Sequence, residues 1–507
     1  MQESSAEIRS GQKMRDLKIV LILTGIYILA VSTLLRAHVL YKDDIGRAVE
    51  GYLRWAKSSR YVSDLLAVLI QGGVSLTDQS PLQQLIAALF MAASSLIAVR
   101  ALGPAEGKSS LAVRNRNAAG SRLSSMKRGG FIKYLAALGM GLNPYFLECF
   151  SFQFDAAFMA FSVLMAVFPF YIGPRRRKAF LTAAFLCTLL VMMSYQASSG
   201  IFPILVLFYA LLQWVDRELE GKQAFALVGQ SAAVYLAALA VFRLFFMHNS
   251  SEYNSGEMIP FSRLLPGLTA NYRKLAWCWW HDFTMYWKLL FLAVILLFFV
   301  MVLWTSQRNR IGTFAALTAV VVMSFLLSNG VLIMVEKLRG TRRAAYGFFM
   351  ILSFMMIVVA VRDKIHIGKV VCILVFWTYF AFSFTYGNAV GENDKWIGSR
   401  LEMAACDLNA LDIMQTDTPK QIQLAGEIPP NEEMERLEKV YPVLQFTLPP
   451  GRANYQWNRY RLLHCYGLKN VYSDRKNDLR KANLPLLLDT MAYEIYGDEG
   501  HVLIVFG

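Results

Sequence analysis

The sequence predicts an α-helical polytopic membrane protein of about eleven transmembrane helices with a small extracytoplasmic α/β domain at its C-terminus. Three observations predict it. Of 507 residues, 56% are hydrophobic and only 17% charged, whereas soluble domains carry roughly 25% charged residues. Apolar runs of about 20 residues recur along the chain, and in lipid such runs must be helical because no solvent satisfies their backbone groups. Basic residues fall mainly in short segments between those runs, as membrane topology demands.

The first run follows a polar start carrying Arg9, Lys13 and Arg15. It is too long for a signal-peptide core and no small-residue cleavage site follows, so it reads as a retained span behind a cytoplasmic N-terminus. The net charge of +15 fits loops at an anionic bilayer surface and not a nucleic-acid partner. Six scattered cysteines include no CxxC pair, so neither a metal site nor a redox motif is expected. Cys406 and Cys465 share the C-terminal region and are either a disulfide or two free thiols.

Spans are expected near 18–38, 83–101, 131–142, 155–172, 179–195, 201–214, 223–247, 285–305, 313–335, 346–362 and 369–388. The loop after the second carries Arg100, Lys108, Arg114, Arg116, Arg122, Lys127 and Arg128 and is therefore cytoplasmic. That orientation puts the loop with Asp43 and Asp44 outside, together with the segment 336–347, which is basic against the rule. Residues 1–388 form the transmembrane domain and 389–507 the extracytoplasmic α/β domain. In the latter, Ile397, Leu401, Ala404, Leu408 and Leu411 recur at helical spacing. QIQLA and PVLQF read as strands, and AYEIYGDEGHVLIVF reads as a closing hairpin turning at GDEG.

Asp43 and Asp44 are the sharpest chemical feature. Two adjacent acids straight after a span are costly unless they bind something or draw a proton from an attacking hydroxyl. A solvated loop or a helix N-terminus is the plainer explanation. Arg47 one turn on and Trp55 beyond it strengthen the functional reading. Arg339, Arg342 and Arg343 sit outside against the charge rule; an anionic ligand such as a phosphate would hold them there, as would lipid headgroups or Glu336. Asp155, at the mouth of a span, positions a substrate or pairs with an arginine. Tyr195 and Gln196 offer neutral hydrogen bonds suited to sugar hydroxyls.

The order of YKDDIGRAVEGYLRW, LTDQSPLQQL, NPYFLECFSFQFDAAF and SYQAS resembles the serotype-converting glucosyltransferases of bacteria and their phages, polytopic enzymes of the GT-C architecture. The similarity covers about residues 20–390 and is weak in the terminal domain. It implies transfer of a sugar, glucose by the family's name, from a polyprenyl-phosphate carrier such as undecaprenyl phosphate. The acceptor would be a cell-surface polysaccharide or glycolipid of the O-antigen type, met on the outer face of the inner membrane. It implies that a carboxylate of the first outer loop is the base, a role falling on Asp44 or Asp43, with Asp44 preferred. The resemblance allows a divalent cation without naming residues for it. Many members carry Gly before the Arg of a second patch in that loop, where this chain has Ser59 before Arg60.

On this reading Asp44 deprotonates the acceptor hydroxyl, the outer arginines hold the departing phosphate, and the anomeric carbon inverts. Two competitors from other classes are a lipid-linked oligosaccharide flippase and a non-catalytic scaffold of envelope assembly. A flippase would place ionisable groups at mid-membrane within repeated halves, and no internal repeat is visible here.

Overall fold

The structure is a computed structural model that describes residues 2–103, 130–247, 257–336, 338, 340–474 and 477–507. Most of the basic loop 101–130 and Arg339 lie outside the described residues.

The chain is mostly helical. Among the described residues, seven helices are long and apolar enough to cross a membrane: Leu82–Leu102, Arg177–Ser194, Gln196–Val215, Gly221–Phe246, Met285–Thr305, Arg310–Leu327 and Ile367–Ala410. Four shorter apolar helices accompany them: Tyr61–Gln71, Ile132–Leu142, Ala156–Val167 and Gly347–Arg362. The first expected span falls on the end of the helix Gln2–Ala30 and on Ser32–Ala37 after it. Tyr61–Gln71, inside the loop expected to be the first outer one, was not among the expected helices.

Burial separates the bundle's centre from its wall. In Gly347–Arg362 every residue from Gly347 to Val361 is buried, and Ile132–Leu142 packs along it. Met285–Thr305 instead exposes Leu289, Leu292, Leu296 and Val300, a stripe at helical spacing that suits acyl chains and not water. The expected span 313–335 ends early, at Leu327. A tight turn at Gly330–Met334 follows, pressed against Gln196–Gly200. Gly200 and Gly330 allow that approach: a Cβ on Gly200 would lie 2.1 Å from the Leu327 carbonyl oxygen, and Gly330 adopts φ +51.

The connections gather at two ends. At one, Arg100 pairs with Asp16, Arg308 with Glu220 and Arg362 with Asp216. At the other lie the segments 38–60, 143–155, 195–200 and 328–346 and the C-terminal region, joined by the contacts described below.

The long helix Ile367–Ala410 runs unbroken through the expected boundary at 388. Its last turns bury Ile397, Leu401, Ala404 and Leu408 in a second core with Ile422, Leu424, Ile495, Val502 and Ile504. The expected periodicity is therefore a packing face, and Leu411 lies just past the helix end. The strands β1 (Lys420–Gly426), β2 (Val471–Tyr472), β3 (Leu486–Asp489), β4 (Tyr493–Gly497) and β5 (His501–Phe506) form one sheet in the order β2-β1-β5-β4-β3. β1 is parallel to β2 and β5, and β4 and β5 form the expected antiparallel hairpin. PVLQF is not a strand: Leu444–Thr447 is a short helical turn between Tyr441-Pro442 and Pro449-Pro450. Prolines at both sides deny ladder donors, and Val443 and Leu444 are buried in the core of the helical bundle. Cys406 and Cys465 are free and exposed, while the other four cysteines are buried.

Candidate active site

After the helix Ser32–Ala37 the chain reverses through His38 and Lys42, both in the left-handed region at φ 47 and φ 53. It then enters a short helix, Asp44–Glu50. That reversal points consecutive side chains in different directions. Lys42 and Asp43 reach a cavity, whereas Asp44 is fully buried.

Arg47 closes one turn of this helix and is the hub of the acids. Its guanidinium lies 2.7 Å from Asp43 Oδ2, 3.6 Å from Asp44 Oδ1 and 3.7 Å from Asp155 Oδ1. Its other face covers the Trp55 ring, 4.4 Å from the centroid, a cation–π contact made in a buried setting. Trp55 is held in turn by Asp64, whose carboxylate accepts the backbone N–H groups of Trp55 and Ala56 at 3.1 and 2.8 Å. Asp44 Oδ2 accepts the backbone N–H of Gln153 at 2.8 Å. Loops expected to be outer, more than 100 residues apart, thus meet on one acidic cluster.

A second cluster adjoins it. Glu148, buried in the helix Pro144–Phe150, lies 2.7 Å from Lys42 Nζ, accepts the Tyr41 hydroxyl at 3.3 Å and accepts the Arg343 backbone N–H at 3.0 Å. The Arg343 guanidinium sits 4.2 Å over the Phe152 ring, close enough to Asp43, Glu148 and Asp155 to act on their charges. Its carbonyl accepts the Tyr195 hydroxyl at 3.1 Å. Tyr195 carries the Arg60 guanidinium 4.8 Å over its own ring, and Gln196 Nε2 donates to the Ser58 carbonyl at 3.4 Å. Tyr195 and Gln196 are thus spent on backbone carbonyls rather than aimed into the cavity.

Arg342 is placed differently from its neighbour. It makes a paired contact with Asp282, Nε to Oδ2 at 2.7 Å and Nη2 to Oδ1 at 2.6 Å, and Tyr145 donates to the same carboxylate at 2.6 Å. Phe446 of the C-terminal region covers its guanidinium at 3.7 Å. Its Nη1 donates to the Gly340 carbonyl at 2.8 Å, so each of its three nitrogens is engaged inside the protein.

Ser59 has φ +60, the conformation that glycine enters without a Cβ penalty. Ser59 thus holds a backbone shape that glycine enters freely, and Arg60 reaches the cluster.

The cavity has a volume of about 1250 Å³. Lys42, Asp43 and Arg343 line one wall; Tyr455, Trp457 and Trp396 are among the residues of the C-terminal region and long helix that line the others. Several buried atoms behind the first wall make no hydrogen bond within the described chain: Asp44 Oδ1, Asp155 Oδ1, Gln153 Oε1, Arg47 Nε, Trp55 Nε1 and Arg60 Nε. Buried polar atoms are rarely left so, and six of them gather behind this wall.

Electrostatics divide the acidic pair. Burial alone would raise the Asp43 carboxyl, but Arg47 and Arg343 outweigh it and hold it below the ordinary carboxylate value. Burial, reinforced by the charge of Asp43, pushes Asp44 well above that value. Burial also draws the Lys42 amine down despite Glu148. One acid stays ionised and faces the cavity; its neighbour favours the protonated form. Among the described residues no three His, Cys, Asp or Glu side chains gather as a metal-holding group; the acids share Arg47 instead.

Sequence reasoning singled out Asp43, Asp44, Arg47, Trp55, Asp155 and Arg343, which the structure gathers into one cluster. It missed Lys42 and Glu148, although an acid inside the apolar run NPYFLECF is the same signal that singled out Asp155. It had no means of finding Asp282 as the partner of Arg342, 60 residues away.

A family model described as Glucosyl transferase GtrII matches residues 32–360. A Salmonella phage P22 protein described as an uncharacterized 55.3 kDa protein in the gtrB 5′ region is 24% identical over 221 residues, 43% of this chain and 40% of that protein. The matched part of the chain thus spans less than half the length of that relative. No solved structure matches the chain. Because the family match covers most of the chain, the chain belongs to the GtrII glucosyl transferase family.

Proposed function

We propose that this protein is an integral membrane glycosyltransferase that moves a sugar, glucose by its family's name, from a polyprenyl-phosphate carrier to a cell-surface polysaccharide or glycolipid. The reaction would take place at the extracytoplasmic end of a GT-C-like helical domain in the inner membrane. The observation that carries the reading is the shared wall of Lys42, Asp43 and Arg343 on one cavity. A carboxylate and two cations there match what the reaction needs: a proton acceptor for the incoming hydroxyl and positive charge for the departing phosphate.

The step balances as a single displacement. The acceptor oxygen forms a bond to the anomeric carbon as the bond from that carbon to the phosphate oxygen breaks. The acceptor proton passes to Asp43, the electron pair of the broken bond stays on the phosphate, and the anomeric configuration inverts. Asp43 takes the base role in place of Asp44, because Asp44 is fully buried with one oxygen held by Gln153. A carboxylate below its ordinary range accepts a proton late, once the new bond has sharpened the hydroxyl's acidity. Arg47 fixes Asp43, while Arg343 and Lys42 face the phosphate and Arg342 shapes the loop that presents Arg343. The basic connections at the opposite end support a cytoplasmic placement of that end.

Asp43→Asn tests the assignment. Transfer from a polyprenyl-phosphate sugar in detergent should fall by about 10²–10⁴-fold, with donor binding and the melting profile kept. Turnover above about a tenth of wild type would remove Asp43 from the base role.

A further inference from the structure

We infer that the C-terminal region supplies a saccharide-binding subsite, with Trp457 and Trp396 as stacking platforms that hold an acceptor of several sugar units; this rests on the glycosyl-transfer reading above. The cavity of about 1250 Å³ exceeds the roughly 300–1,000 Å³ that encloses a drug-sized ligand. It therefore has room beyond one transferred hexose and its phosphate. Half-buried indole rings along a polar cavity are what a sugar chain requires, because a pyranose presents an apolar C–H face to an aromatic plane while its hydroxyls reach polar neighbours.

The placement of each ring ties the subsite to the reaction. Trp457 lies on the helix Gln456–Cys465, which docks on the acidic helix. A Cβ on Gly46 would come within 3.0 Å of the Trp457 ring, so the glycine of DDIGR is the residue that lets this indole sit one turn from Asp43. Tyr460 of the same helix donates to Glu50 at 2.7 Å. Tyr455, just before it, lies near enough to Asp43 and Arg343 to feel both charges. Trp396 belongs to the long helix, with its Nε1 donating to the Pro429 carbonyl at 2.7 Å and Arg400 stacked on one face at 4.4 Å. On the sheet side, Gln423 of β1 donates to Asp478 at 2.9 Å at the same cavity. An acceptor end entering at Asp43 would pass Trp457 first, with Trp396 and the sheet available to sugars further along.

The test uses full-length protein and a chain-length series of oligosaccharides released by mild acid from the surface polysaccharide of the cell that carries it. Acceptor KM should fall as the fragments lengthen, and Trp396→Ala should abolish that gain, raising KM for the longest fragment about tenfold with donor KM unchanged within twofold. Trp396→Phe, which keeps a ring, should recover most of the difference, and this separates a platform from a folding defect. An acceptor KM unaffected by Trp396→Ala, or a rise shared equally by the donor KM, would overturn the subsite. Saturation-transfer NMR of the same fragments reads it without turnover. If wild type transfers no sugar yet binds long fragments and Trp396→Ala does not, the transfer reading fails and the subsite stands. Equal fragment binding by wild type and Trp396→Ala overturns the subsite whatever the transfer assay shows.

Discussion

Arg342 and Arg343 are neighbours in sequence with opposite roles, and substituting each separates them. Arg342 and Asp282 are 5% and 1% exposed and joined by two hydrogen bonds of 2.6 and 2.7 Å. Removing Arg342 leaves the Asp282 carboxylate buried with only the Tyr145 hydroxyl, and breaking a buried pair in this way costs about 3–5 kcal/mol. Phe446 also loses its stacked cation, a further ~1 kcal/mol. Arg342→Ala should therefore lower the melting temperature in detergent by several degrees, with any loss of donor binding tracking the loosening of the loop that presents Arg343. Adding Asp282→Asn should recover part of the loss, because the stranded charge is gone. Arg343→Ala has a different expected outcome: a smaller fall in the melt with donor affinity weakened at least tenfold, since Arg343 makes no paired contact with one carboxylate as Arg342 does and lines the cavity. Thermal melting by intrinsic fluorescence, run beside a donor-binding assay, reads both. A normal melt with lost donor binding in Arg342→Ala would refute the division of labour.

Three further outcomes follow from the geometry. Ser59→Gly should raise stability by up to about 1 kcal/mol, because a left-handed non-glycine residue costs roughly 1–2 kcal/mol and glycine's added unfolded freedom returns part of it; a lowered melt would contradict the strain. Asp44 binds its proton more tightly folded than unfolded, where its value is about 3.9. Its contribution is therefore fully present below that pH and falls as pH rises toward its raised folded value, whereas the depressed Asp43 contributes above about 3.9 and is lost only at lower pH. Asp44→Asn should flatten the alkaline decline in melting temperature, and parallel profiles for variant and wild type from pH 4 to 9 would speak against a raised Asp44. Because Cys406 and Cys465 are exposed and the other cysteines buried, an impermeant maleimide should label intact spheroplasts at these two positions, and labelling only after lysis would reverse the membrane orientation.

Local pattern carried the helical segments well. Apolar runs set most helix positions to within a few residues, and the final hairpin followed from alternation around GDEG. What depends on partners distant in sequence was not legible. PVLQF has the composition of a strand, but its burial is against the helical bundle and not in the sheet. Arg342 and Arg343 are indistinguishable by residue type, and only Asp282, Tyr145 and Phe446 separate them. The acidic pair stood out because charge beside lipid is costly, yet which member meets the cavity depends on the left-handed turn at Lys42, a conformation that a lysine does not advertise. The cavity wall supplied by Trp396 and Trp457 was invisible for the same reason: it exists only once the last hundred residues fold back on the acidic helix.

The unbroken helix Ile367–Ala410 has a mechanical consequence. At 1.5 Å per residue its 44 residues measure roughly 66 Å, about twice the thickness of a bilayer's hydrocarbon core. With no flexible joint between the two ends, the position of Trp396 is a matter of angular phase: each residue added to the rod upstream of it rotates everything beyond by about 100°. One inserted alanine near residue 390 should swing the indole away from the cavity, whereas seven would bring it round to nearly its original bearing, displaced outward by about 10 Å. The rod thus acts as a ruler as well as a strut, setting both how far from the helical bundle and in which direction the sheet presents itself.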